Sequence, residues 1–504
     1  MGLTLRDLML VSPELALVVL ALAIVLLDLV LERKRFVLAV GVAGLGVPLA
    51  AALGLWAVVA DGGAEMAFHG ALIVDTFALY FKLLIVGILG LLLLASADHI
   101  ERFRPHQAEF VALVLLSAAG LMLLAGAADL IAVFVSLELA SLPVVALVAF
   151  GKNDRSIEAG IKYLVLSGVS AAVLLYGFAF LYGATGTVRL VALDPALPTI
   201  ATMLPAVADG RPFGSTAVLV GVVLATAGFG FKLSMVPFQM WTPDVYEGAP
   251  TPVAAFLATA SKAAAFAIVL RLFYTALGGA SAEWSIMFAV LAAVTMSVGN
   301  VVAIAQSNVK RLLGYSAIAQ AGYMLIGVAA VAGGGGDPLG VQSVLFYLGG
   351  YAAMNLAAFF AVIAITNVTG DDRIEALAGM GRRSPLLALI LAFALISLIG
   401  IPPTVGFMGK LFLFNAAVSA DLAWLAVFGV VNSVVSAYYY MGIVRTMYMR
   451  EPPELDGPGE PGRIGAPVAA WLAMGVATAG VAVLGVWPAW LLDVAGSAAG
   501  ALVP

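Results

Sequence analysis

Apolar residues fill this chain in long runs, and polar residues fall in short bursts between them. An α-helix needs ~20 mostly apolar residues to cross a hydrocarbon core. Runs of about 18 or more predict fourteen such helices. They fall near 13–31, 36–59, 76–96, 108–125, 129–150, 158–184, 215–236, 252–276, 284–305, 311–332, 339–366, 386–418, 422–448 and 466–494. The stretch Met1–Pro13 has no basic region and no small-residue cleavage site, so the first run reads as a retained helix. The longest connections, about 184–214 and 449–465, leave little room for a domain outside the membrane. The pattern predicts an all-α polytopic membrane protein built as one membrane domain, 1–504.

Two helices are interrupted. The seventh meets Pro237, which lacks a backbone donor and clashes with the carbonyl four residues earlier. Pro243, Gly248, Pro250 and Pro252 follow, and Thr251-Pro252 reads as the cap and first turn of the eighth helix. The twelfth breaks at Gly400-Ile401-Pro402-Pro403 and resumes through Gly406 and Gly409. Each break is in the fourth member of a five-helix set, helices 4–8 and helices 9–13. Helix 4 runs outward and helix 9 inward, so the two sets are expected to be inverted repeats. The chain then divides into three N-terminal helices (1–107), a first repeat (108–276), a second, inverted repeat (284–448), and a connector with the last helix (449–504).

Charge adds direction. Of 24 basic residues, sixteen fall in loops or span ends on one side, Arg33, Lys34, Arg104 and Arg463 among them. Only Arg6, Arg189 and Arg211 fall on the other. Positively charged loops face the cytoplasm, which puts both termini on the opposite side.

Composition excludes other classes. The chain is 63% hydrophobic and 11% charged, against roughly 25% charged in soluble proteins. A net charge of −5 without a basic patch leaves nothing to hold nucleic acid. The absence of cysteine removes disulfides, thiolate metal sites and cysteine-ligated clusters. His69, His99 and His106 fall in or beside loops, so a pair of histidines inside the membrane is not expected. Neither a metal nor a cofactor site is predicted.

The candidate chemistry is in the charges inside the apolar runs. A charge at mid-bilayer costs at least ~2.5–3.5 kcal/mol. Glu138 in helix 5 and Lys262 in helix 8 are too central to reach water. Lys232 lies just before the break in helix 7, and Lys410 two turns after the break in helix 12. Lys82 and Arg271 lie near span ends and read as snorkelling side chains. A buried lysine that loses a carboxylate neighbour gives up its proton more readily. Glu138, Lys232, Lys262 and Lys410 therefore form a candidate proton relay, with fixed structural charges as the bland alternative.

Five segments carry a family resemblance. They are SLELASLPVVALVAF (136–150), EAGIKYLVLSGVSAAVLLYGFAFLYGATGT (158–187), GFKLSMVPFQMWTPDVYEGAPTPVAAFLATASKAAAF (230–266), NVKRLLGYSAIAQAGYMLIG (308–327) and GIPPTVGFMGKLFLF (400–414). Together they resemble the antiporter-like subunits of respiratory complex I, the NADH-quinone oxidoreductase. The resemblance covers nearly the whole chain and implies fourteen helices, inverted five-helix repeats and broken helices 7 and 12. It implies that Glu138 pairs with Lys232, that Lys262 continues a central polar axis, and that Lys410 lies near its exit. It also implies neighbouring antiporter-like and small membrane subunits in a bacterial cell membrane. NAD, flavin, iron–sulfur clusters and quinone would belong to partner subunits, none to this chain. The expected activity is proton translocation driven by quinone reduction elsewhere in the complex. A subunit of a multisubunit cation/proton antiporter and a membrane scaffold are the alternatives.

Overall fold

The computed structural model describes residues 4–30, 35–103, 105–210, 214–331, 338–452 and 465–502. Arg33, Lys34, Arg104, Arg211, Arg463 and most of the 449–465 connector lie outside them.

Thirteen described helices are long and apolar enough to cross a membrane. They are α1 (Ser12–Val30), α2 (Val37–Gly62), α3 (Thr76–Ala95), α4 (Gln107–Ala125), α5 (Leu130–Gly151), α6 (Asp154–Thr185), α7 (Ser215–Leu233), α8 (Thr251–Ala276), α9 (Gly278–Ala303), α10 (Val309–Ala329), α11 (Leu339–Thr369), α13 (Ala423–Met449) and α14 (Val468–Val486). The twelfth place holds two shorter apolar helices, α12a (Pro385–Ile399) and α12b (Val405–Ser419). The protein is an all-α polytopic membrane protein.

Local chemistry sets the ends. Asp75, Asp129, Asn153 and Asn308 cap α3, α5, α6 and α10, each accepting a backbone N–H from the first turn. Gly186 and Gly370 close α6 and α11 in the left-handed conformation.

Both breaks are where the prolines put them. After Leu233 the chain turns through Ser234 at φ 61 and re-forms a short half-helix, α7b (Trp241–Gly248). The indole of Trp241 donates to the Phe231 carbonyl at 2.8 Å, which satisfies an acceptor freed at the end of α7. At the other break Gly400 ends α12a at φ 95. A Cβ on Gly406 would be 1.8 Å from the Ser397 carbonyl oxygen, so only glycine lets α12b start so close to the end of α12a.

Three features differ from the sequence reading. The last helix stops at Val486, and a separate helix, Ala489–Gly500, packs against α3 and α11. Pro488 cannot extend the hydrogen-bond ladder of α14. The long 184–214 connection holds a helix, Ile200–Gly210. Between α2 and α3, β1 (Glu65–Ala67) and β2 (Leu72–Val74) form an antiparallel hairpin in the register Glu65↔Val74. His69 is in its turn at positive φ. Strands of three residues give too short an alternation to stand out in a sequence.

Burial locates the centre. Nearly all residues of α8, α10 and α11 are buried, whereas in α1, α2, α6, α13 and α14 about a third or fewer are. Lys262, on α8, is therefore among the innermost side chains.

Candidate functional site

Lys232 is the penultimate residue of α7, where the helix stops and side chains can turn inward. Its ammonium donates to Ser141 Oγ of α5 at 2.6 Å and to the Tyr163 hydroxyl of α6 at 3.1 Å. It is 5.4 Å from the centre of the Tyr163 ring. A narrow crevice beside it is lined also by Leu121, Phe229, Ser261 and Ala265. Ser261 and Ala265 belong to α8, so this crevice reaches from Lys232 to the helix that bears Lys262.

Glu138 is elsewhere on α5. It is half-buried, on a face whose other members, Ile131, Val135, Leu139 and Leu142, are exposed. No ion pair among the described residues joins it to Lys232. The family-based expectation of a direct Glu138–Lys232 contact is not met in this structure. Ser141, one turn further along, takes the place at the ammonium.

Lys262 is 1% exposed. It follows a π-helical turn, Leu257–Ser261. Such turns interrupt the regular ladder and are common at functional sites. Its ammonium donates to the Ala317 carbonyl of α10. No carboxylate contacts it among the described residues.

Lys410 lies in α12b but reaches back across the break. It donates to the carbonyls of Ile399 at 2.8 Å and Leu398 at 3.2 Å, and to Ser433 Oγ of α13 at 3.1 Å. The two carbonyls are at the C-terminus of α12a, where the helix dipole favours a cation. The ammonium lies 4.1 Å from the centre of the Tyr323 ring, within cation–π range. A Cβ on Gly400 would be 3.0 Å from Lys410 Cδ, so glycine leaves room for the lysine stem.

A polar network surrounds Lys410. Ser433 and Asn300 donate to the Tyr323 hydroxyl at 3.3 and 3.4 Å. Asn300 also donates to Asn432 Oδ1 and accepts from Tyr439. Gln320 donates to the same Leu398 carbonyl and accepts from Tyr347. None of these neutral groups was singled out from the sequence. Tyrosine, asparagine and glutamine inside apolar spans are the signal that could have found them.

Two further buried cations correct the snorkelling expectation. Lys82, 2% exposed, pairs with Glu14 of α1 at 2.7 Å. Arg271, 1% exposed, forms a two-pronged pair with Asp75, at 2.8 and 2.9 Å. Both stay inside because an anion from a distant part of the chain meets them.

At the other end of the bundle α7b is clamped by charge. Asp244 accepts from Lys162 of α6 at 2.8 Å and Arg311 of α10 at 2.6 Å. Glu247 accepts from Arg311 at 2.9 Å and from Arg155. Next to this clamp, His99, between α3 and α4, bonds Asn367 at 2.9 Å. Burial pushes its imidazole down to about 4. The Asn367 bond opposes that shift, and Arg102 and Lys310 add to it. Among the described residues no group of three or more His, Asp or Glu is placed to hold a metal ion.

Known proteins are similar to this chain in sequence and fold. Residues 127–436, from the end of α4 into α13, match the family described as NADH:quinone oxidoreductase/Mrp antiporter, TM. A NADH-quinone oxidoreductase subunit N from Dehalococcoides mccartyi is 40% identical over 95% of this chain and 97% of its own length. An F420H2 dehydrogenase subunit N from Methanosarcina mazei is 39% identical over 99% of this chain and 100% of its own. A chain from the structure of respiratory complex I from Thermus thermophilus with bound aureothin superposes with a TM-score of 0.76. It is 34% identical, and the match covers 95% of this chain and 98% of that one. Taken with the broken helices and the buried lysines beside them, these similarities show that the chain belongs to the NADH-quinone oxidoreductase subunit N family, the antiporter-like membrane subunits of respiratory complex I.

Proposed function

We propose that this chain translocates protons as a membrane-arm subunit of a bacterial NADH-quinone oxidoreductase. One observation carries the proposal: Lys262 and Lys410, both buried, and the half-buried Lys232 lie beside helix interruptions and are held by neutral acceptors. A lysine held by carbonyls and hydroxyls can release its proton and leave a neutral amine among neutral groups. No counter-ion is stranded by the release, so charging and discharging are both feasible. In this reading a proton moves along Lys232, Lys262 and Lys410, and the breaks at 234–240 and 400–404 give the soft points where water enters. The two breaks hold matching positions in the two inverted repeats we infer.

Glu138 acts at the start of this path. Its half-exposed carboxylate on an apolar helix face calls for a covering surface, and a neighbouring small or antiporter-like membrane subunit would supply it. A signal from that subunit reaches Lys232 through Ser141. NAD, flavin, iron–sulfur clusters and quinone belong to the partner subunits in this reading. The excess of basic residues in the loops of one side supports a reading with both termini on the non-cytoplasmic side of the cell membrane.

The test is proton pumping and electron transfer measured together in vesicles carrying Lys262→Ala, after assembly is verified. Loss of both is expected, because a stalled proton path stalls the redox chemistry coupled to it. Normal values for both would leave Lys262 a structural residue. The family description also names Mrp antiporters. Under that second reading the purified assembly would lack flavin and iron–sulfur absorbance.

A further inference from the structure

Four buried polar atoms have no hydrogen-bond partner among the described residues and share one region. They are the hydroxyls of Tyr246 and Tyr351 and both side-chain heteroatoms of Asn355. All three residues are essentially inaccessible. Tyr351 and Asn355 are one turn apart on α11, so they share a face, and Phe359 follows one turn later. The Phe359 ring is 6.3 Å from the Tyr246 ring, which brings α7b to that same stripe.

Buried polar groups are seldom left unpaired, and internal water is the usual partner where two to four of them converge. Two hydroxyls, which donate and accept, one amide N–H₂ donor and one amide carbonyl acceptor offer the mix of groups such a water needs. We propose that Tyr246, Tyr351 and Asn355 form an internal water-binding site that carries protons from one face of the bundle toward Lys262.

Both ends of such a path are present. On one side is a polar vestibule of about 1060 Å³, lined by Arg155, Glu247, Thr251, Lys310 and Asp372 among others. Its wall runs through Gly248, Ala249 and Pro250, immediately after Tyr246 in the chain. On the other side the stripe continues to Tyr347, one turn before Tyr351, which donates to Gln320 of α10. Ala317, whose carbonyl holds Lys262, is one turn from Gln320 on the same helix. α11 also packs against the π turn that precedes Lys262. The half-helix bearing Tyr246 is fixed at the vestibule by the Asp244 and Glu247 ion pairs.

The chemistry is proton exchange alone. A proton arrives on water, and each step breaks one O–H bond as the next forms. The last forms an N–H bond on the neutral Lys262 amine. No electrons move, and neither tyrosine needs to ionise. This site rests on the proton-relay reading above, and its test separates the two.

The assembled complex is labelled by X-ray-generated hydroxyl radicals and analysed by mass spectrometry. Bound water should label Tyr246 and Tyr351 despite their burial. In vesicles, Asn355→Leu should lower proton pumping several-fold with assembly unchanged, and Asn355→Ser should retain most of it. If Asn355→Leu fails to assemble, Tyr246→Phe with Tyr351→Phe, which removes only two hydroxyls, decides in its place. Absence of labelling overturns the site. So does normal pumping in Asn355→Leu, or in the double tyrosine variant if that decides. If Lys262→Ala stops pumping while these variants do not, only the water site falls. If Lys262→Ala pumps normally, the relay itself falls.

Discussion

Among the described residues, five cations lie within the spans away from the charged clamp and the helix ends near it, Lys82, Lys232, Lys262, Arg271 and Lys410, and they are held in two different ways. Lys82 and Arg271 face carboxylates, Glu14 and Asp75. Lys232, Lys262 and Lys410 face hydroxyls and carbonyls. A buried ion pair is locked, because discharging either member leaves the other uncompensated in a medium that solvates it poorly. A lysine with neutral partners is not locked in that way. The paired cations tie α1, α3 and α8 together, and the unpaired ones lie beside breaks or a π turn. Buried cations thus serve as fasteners in one region and, in the proposed function, as proton carriers in the other.

The contrast predicts its largest effect in the paired region. Arg271→Ala strands Asp75, and Lys82→Ala strands Glu14. Each should cost about 3–5 kcal/mol, measured as lost resistance to denaturant in detergent. The double change Lys82→Met with Glu14→Leu should recover most of that loss. Failure to recover would mean that the pair contributes more than neutralisation.

In the unpaired region the order of effects reverses. Lys262→Met should change stability by only about 1–2 kcal/mol, since it strands no charge and the Ala317 carbonyl keeps its place in the helical ladder of α10. The same variant should abolish coupled pumping. A stability loss as large as that of Arg271→Ala would erase the distinction between the regions.

A smaller effect sharpens the hold on Lys410. Tyr323→Leu removes the ring under the ammonium, worth about 0.5–2 kcal/mol, whereas Tyr323→Phe keeps it. The two variants should differ in the pH profile of pumping, with Phe the closer to wild type. Identical profiles would remove the ring from the account.

An effect confined to acid is expected at His99, a buried titratable group outside the spans with a neutral partner. Its imidazole titrates near 4 in the folded chain and near 6.5 when unfolded. The unfolded chain binds the extra proton first. Stability should therefore fall as pH drops from about 6.5 toward 4, and be unaffected by His99 above that window. His99→Gln should flatten this part of the pH–stability curve in thermal unfolding.

Much of this was legible in the chain. Glu138, Lys232, Lys262 and Lys410 stood out because a charge in an apolar run is costly, and the costly residue is visible whatever surrounds it. Pro237 and Pro402-Pro403 marked both breaks, because a missing N–H is a local property. The partners were not legible. Ser141 and Tyr163 look like any polar residue in a span, and a backbone carbonyl such as that of Ala317 has no signature at all. Lys82 and Arg271 read as snorkelling because their distance to a helix end is local, while Glu14 and Asp75 are not.

The sequence by itself determined that this chain crosses a membrane many times, where two of its helices break, and which four charges need an explanation. Those follow from hydrophobic run length and proline chemistry, which act over a few residues. Only the tertiary structure decided which cations are paired. Pairing depends on how helices rotate and pack, and that is set by the fit of whole faces. The same packing put Glu138 on a partly exposed apolar face, put Ser141 and Tyr163 at the Lys232 ammonium, and buried the polar atoms of Tyr246, Tyr351 and Asn355 without a hydrogen bond among the described residues.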